Sequence, residues 1–170
     1  MNTFRMMALF AALTFLSNPA ASADVQRSSD QLFSMDVAKG WRWDEKPGQV
    51  TVVNPSEKNG IAIIWGKANI TSDEEIPSRL DNAVTVMKQK LENRNKNEKP
   101  KISSKKTKVD GAEARTIDFT TETPKGTNNA TQYFVVHEGN SFSITYGSNE
   151  KDEKKAMDKM VGSLKFKKKK

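Results

Sequence analysis

Five consecutive apolar residues, Ile61 to Trp65, stand between Gly60 and Gly66, and no other stretch constrains the architecture of the chain as firmly. A segment this short is no stable helix, and its branched and aromatic content favours a strand. Alternation sends Ile61, Ile63 and Trp65 to one face and Ala62 and Ile64 to the other. Neither face is polar, so the pattern predicts a strand buried on both sides, with one layer above it and another below. Two amphipathic helical patterns elsewhere in the chain can supply those layers. The fold class that follows is α+β: a three-layer α/β/α sandwich with a central, mostly antiparallel sheet.

The remaining elements fit around that strand. Asp24 to Gln31 is polar and reads as a flexible lead. Phe33, Met35 and Val37 alternate with polar residues, and after a turn at Lys39-Gly40, Trp41-Arg42-Trp43 alternates again, with both indoles on one strand face. Pro47-Gly48 suits a type II turn into a strand from Gln49 to Val53, which pairs with the Ile61 strand as a hairpin. Ser72-Asp73-Glu74-Glu75 reads as a capping box with Pro77 in the first turn of the helix it opens. Ile76, Leu80, Ala83, Val84, Met87 and Leu91 then form one apolar stripe. Asn93 to Lys101 lacks any apolar residue and reads as a loop. The lysine-rich segment Ile102 to Val109 reads as an edge strand, where lysines discourage pairing with another chain. Asp110-Gly111 and Glu138-Gly139 are hairpin turns in a meander that ends with Phe142, Ile144 and Tyr146 on one face. A final helix is carried by Ala156, Met157, Met160, Val161 and Leu164.

Residues 1–23 have the form of a secretory signal peptide, with Arg5, an apolar run from Met6 to Leu16 and the small-residue site Ala21-Ser22-Ala23. As a helix that run would span only ~16 Å, about half a bilayer core. Residues 24–170 then form a single domain, long enough to bury roughly 68 to 70% of its unfolded surface in one core. The chain of 170 residues holds no cysteine, which removes disulfides, thiolate chemistry and lipid attachment through cysteine. A formal net charge of +7 favours anionic surfaces. The expected location is periplasmic or secreted, with no transmembrane anchor after signal cleavage.

Phe33-Ser34-Met35 with Gly40-Trp41, the Val109-Asp110-Gly111 hairpin, Phe142-Ser143-Ile144-Thr145-Tyr146 and the ending Met160-Val161-Gly162-Ser163-Leu164-Lys165-Phe166 together resemble the PsbP-like group. They are similar as well to the bacterial DcrB envelope proteins. The resemblance runs from Leu32 to Phe166, with departures at Ala38, where many relatives carry proline, and in the missing lipoprotein cysteine. It implies an α/β/α sandwich on an antiparallel sheet. Members of that superfamily serve as extrinsic photosystem subunits, a Ran-binding import factor, secretion chaperones and envelope proteins, so it implies no single activity and no catalytic motif.

Chemistry is sparse. His137 is the only histidine, and a lone histidine more often packs or hydrogen-bonds than ligates a metal. Asp73-Glu74-Glu75 has a sufficient reason in the helix dipole. No G-x-S-x-G elbow, Walker loop or G-x-G-x-x-G is present. No catalytic, metal or cofactor residues are assigned, and no nucleic-acid partner is expected. Trp41 and Trp43 are candidate ligand-face aromatics, although core packing is the commoner use of such residues. Lys165, Lys167, Lys168, Lys169 and Lys170 are candidate contacts to an anionic surface, weighed against a solvated tail. The function expected is a non-enzymatic binding or accessory module of the bacterial cell envelope. The alternatives are a hydrolase using His137 and an anionic-surface binder acting through the lysines.

Overall fold

The computed structural model describes residues 23–94, 100–123 and 126–168. The signal-peptide pattern, most of the Asn93–Lys101 loop, and Lys169 and Lys170 lie outside them. The strands are β1 (Asp24–Arg27), β2 (Phe33–Val37), β3 (Arg42–Lys46), β4 (Gln49–Val53), β5 (Gly60–Lys67), β6 (Ile102–Val109), β7 (Ala112–Thr123), β8 (Gly126–His137), β9 (Asn140–Ser148) and β10 (Lys165–Phe166). Helix α1 spans Ile76–Arg94 and helix α2 spans Lys151–Gly162.

Strands β3 to β9 make one antiparallel sheet in the order β3-β4-β5-β9-β8-β7-β6. The lysine-bearing β6 is its outer strand, as the spacing of charges predicts. Two of its hairpins turn through left-handed residues, Asp110-Gly111 at φ 46° and 83° and Glu138-Gly139 at φ 48° and 71°. Only primed turns match the twist of the strands they join, and both demand a positive φ that glycine accepts freely.

Register decides what each face carries. Ile63 lies opposite Ile144, Ile144 opposite Tyr133 and Tyr133 opposite Thr116, so these four residues share a face. Ile117, one position along, points the other way. On the first face Val50, Val52, Ile61, Ile63, Phe142, Ile144 and Tyr146 form the main core with Met157, Met160 and Val161 of α2 and with Phe33, Met35 and Val37 of β2. On the second, Val84 and Leu91 of α1 cover Ile117 and Phe119 of β7. Helices therefore lie on both faces of an antiparallel sheet, and the α+β sandwich holds.

Three expectations are corrected. β5 is buried on one face only: Ile61 and Ile63 are sealed, but Ile64 remains 52% exposed. The reason is lateral, since α1 packs on β7 and β8 and leaves β3 to β5 open on that side. The polar lead is also no loose end. Asp24–Arg27 pairs with β2, and β10 pairs with the other edge of β2, so the two ends of the domain form a second, three-stranded sheet over the core. Finally, the capping box does not close. Ser72 makes no side-chain cap; a short 3-10 turn over Asp73–Glu75 leads into α1, and the hydroxyl of Thr71 donates to the Glu75 carboxylate instead.

Candidate functional site

An open groove of about 710 Å³ lies between α2 and the β6-β7-β8 side of the sheet, on the face that carries the main core. Its floor consists of two cross-strand rows. In one, Ser103 opposes Asp118 and Asp118 opposes Thr131, and the row continues through Tyr146 to the buried Ile61. In the other, Thr120 opposes Asn129 and Asn129 opposes Ser148, with Lys101 beside Thr120 at the rim. Each row thus passes from polar and open on the outer strands to buried on β9, where α2 takes over as cover. Lys151, Lys154, Lys155 and Asp158 follow one another at helical spacing and present one stripe of α2 to the groove.

Fixed contacts hold this wall in place. Asn54 donates to one Glu153 oxygen at 2.7 Å, while Ser148 donates to the other at 3.0 Å and accepts the Glu150 N–H at 2.9 Å. Asn59 donates to Ser148 as well, at 3.2 Å. A partly buried network of two amides and a hydroxyl around the Glu153 carboxylate therefore ties the start of α2 to the β4–β5 connection. Further along, the Tyr146 hydroxyl donates to Asp158 at 2.7 Å, and Lys154 pairs with the same carboxylate at 3.1 Å while lying over the Tyr146 ring. Burial, reinforced by Asp158, pushes the Tyr146 phenol well above its ordinary range, so it stays a neutral donor. Thr131 donates to Asp118 at 2.7 Å. Lys101, Lys151 and Lys155 are exposed, and none of them pairs with a carboxylate among the described residues.

The residues singled out from the sequence that the structure describes sit elsewhere. Trp43 is half-buried and packs on the main core, its ring 6.0 Å from Phe33, with its indole N–H donating to Glu45. Trp41 lies just before β3 and packs against the same core from the preceding turn. Trp43 thus joins Trp65 and Phe142 in an aromatic cluster around Phe33, while Trp41 only packs against the same core. His137 stacks on Phe166 at 5.0 Å, and its Nε2 lies 3.1 Å from the Lys167 carbonyl oxygen. That histidine fastens the end of the chain to the sheet. Lys165 pairs with Asp110 at 3.0 Å, whereas Lys167 and Lys168 are exposed. No group of acidic or histidine side chains suited to a metal ion occurs among the described residues.

The groove itself went unrecognised in the sequence. Its one local signal is the i, i+3, i+4 spacing of Lys151, Lys154 and Lys155, and only the tertiary fold sets that stripe across from Lys101 and Ser103. Lys167 and the groove stand towards opposite ends of β8 (Gly126–His137): Asn129 and Thr131 line the groove, and His137 meets the Lys167 carbonyl oxygen.

No known family model matches the chain, and no curated protein matches it in sequence. Solved structures do. Cyanobacterial PsbP (CyanoP) from Synechocystis sp. PCC 6803 superposes with a TM-score of 0.63 at 11% identity, over 89% of this chain and 96% of that one. A protein from Bacteroides thetaiotaomicron VPI-5482 gives 0.59 at 12% identity over 87% of this chain, which spans only 50% of that protein. LpqN of Mycobacterium tuberculosis, described as involved in cell envelope biogenesis, gives 0.48 at 13% identity over 83% of this chain and 88% of that one. The fold is PsbP-like. No helix among the described residues is long and apolar enough to cross a membrane.

Proposed function

We propose that the chain is exported and acts in the periplasm, or as a secreted protein, as a non-enzymatic binding or accessory module of the bacterial envelope, with the groove beside α2 as its working surface. The carrying observation is that groove. Its wall is fixed by the Ser148-Glu153-Asn54 network, its floor presents hydroxyls and an amide, and its wall and rim carry the ammonium groups of Lys151, Lys155 and Lys101, which form no ion pair among the described residues. Polar groups converging on a cavity of a few hundred Å³, held by packed elements, are the usual form of a binding site. Export rests on the signal pattern in residues 1–23.

The hydrolase alternative depends on His137, whose Nε2 is engaged with the Lys167 carbonyl oxygen and whose ring is packed on Phe166. A general base must reach the proton it abstracts, and this nitrogen is aimed at the backbone of the chain's own end. A hydrolase screen of wild type against His137→Ala is expected to detect no His137-dependent turnover. Robust turnover abolished by the substitution would replace the binding module with an enzyme.

The tail is the second reading, favoured by the exposure of Lys167 and Lys168. Its reach is reduced because Lys165 already pairs with Asp110 and Phe166 is buried. Adsorption through the remaining lysines would be weak, about 1 kcal/mol each near an anionic membrane, and salt-sensitive.

A further inference from the structure

Resting on the reading of the groove as the working surface, we infer that it takes a phosphorylated polyol, with the phosphoglycerol group as the smallest ligand of that class. Lys151 and Lys155 on the helix wall and Lys101 on the opposite rim supply three unpaired ammonium groups around one cavity. Phosphate, with its several strong acceptor oxygens, matches several flexible point charges better than any neutral group does.

The carboxylates narrow the choice. Asp118 and Asp158 also line the groove, so a ligand that was anionic throughout would meet repulsion. Asp158 is occupied by Tyr146 and Lys154, and one oxygen of Asp118 is taken by Thr131. Asp118 keeps a second oxygen, and Ser103, Thr120 and Asn129 line the same groove, so ligand hydroxyls can donate to the carboxylate and accept from those side chains. An anion at the lysine wall and hydroxyls over the floor describe one molecule. The cavity of about 710 Å³ is far larger than a lone phosphate requires. Phosphoglycerol occurs as a lipid headgroup and in soluble form, and the chemistry of the groove is the same for both.

The test is a calorimetric titration of the chain with sn-glycerol 3-phosphate, alongside co-sedimentation with vesicles of phosphatidylglycerol and of phosphatidylcholine. Saturable single-site binding is expected in at least one phosphoglycerol arm. Lys151→Gln combined with Lys155→Gln should weaken it at least tenfold with an unchanged melting temperature, since both side chains are exposed. Deleting residues 167–170 should change it less than twofold, because Lys167 is held at His137, at the end of β8 away from the groove. Groove-dependent binding in the vesicle arm alone assigns a lipid headgroup, and in the titration alone a soluble polyol phosphate. No saturable binding in either arm overturns the ligand class, as does binding that survives the double substitution but is lost with the tail. A groove that still crosslinks to an envelope component while failing both arms would keep the working surface and discard only this ligand.

Discussion

Ile63→Asp is expected to leave the chain unfolded or insoluble, while Ile64→Asp, one residue along the same strand, folds and melts within a few degrees of wild type. Ile63 is 0% exposed and sits at the centre of the main core, between Val50 and Ile144 on the neighbouring strands. A carboxylate there has no partner in reach of that apolar face and must either ionise without solvent or stay protonated at a cost. With the lost packing, the penalty is about 5 kcal/mol or more, against a total stability of roughly 5 to 15 kcal/mol for a domain. Ile64 is 52% exposed on the face that α1 leaves uncovered, where a charge keeps its water. The pair is read by thermal melting and soluble yield. Equal damage from both would mean that β5 is covered on two sides; equal tolerance would mean that it is not in the core.

Phe166→Ala is the second large effect. The ring is 5% exposed, 4.7 Å from Phe142 and 5.0 Å from His137, and its strand closes one edge of the small sheet. Truncating a buried aromatic costs about 3 to 5 kcal/mol, which for a domain of this size lowers the melting temperature by on the order of 10 °C. The same end is held by Asp110, which accepts from Lys165 and from the Phe166 N–H. Burial works to raise this carboxyl, but those donors and nearby Lys168 outweigh it and hold it below the usual carboxylate range. A depressed folded-state value contributes stability above the unfolded value and loses it as pH falls through the folded one. The tail contact should therefore persist at neutral pH and weaken below about pH 4. In Asp110→Asn that acid-dependent component should be absent, with melting measured from pH 7 to 3. A Phe166→Ala protein as stable as wild type would show that β10 is not docked.

Much of this fold is written locally. Asp110-Gly111 and Glu138-Gly139 announce their turns because few residues accept a left-handed backbone, and the β6 lysines announce an edge because a central strand would bury them. The stripe from Leu80 to Leu91 announces α1, and the Leu164-x-Phe166 alternation sets two apolar side chains on one face, where both are buried. What escapes the sequence is non-local. Nothing in Asp24–Arg27 says that β2 will accept it on one edge and β10 on the other. The two apolar faces of Ile61–Trp65 do not reveal that α1 sits over β7 and β8, leaving Ile64 in solvent. Trp41 and Trp43 read as packing more readily than as a ligand platform, but only the placement of Phe33 beside Trp43 and of both indoles against the main core decides it. The groove is hidden for the same reason: Ser103, Asp118, Thr131 and Lys151 belong to four elements and meet only when α2 is laid across β9.

The claim on which the functional account turns is that this groove, and not the open sheet face or the tail, meets the partner. A photo-crosslinking residue placed at Ser103 in the full chain, expressed in cells and irradiated, tests it most directly, with one at Ile64 as the comparison. The account predicts an adduct in the envelope fraction from Ser103, reduced by Lys151→Gln with Lys155→Gln, and none from Ile64. Adducts from Ile64 alone, or equally from both positions, would contradict it.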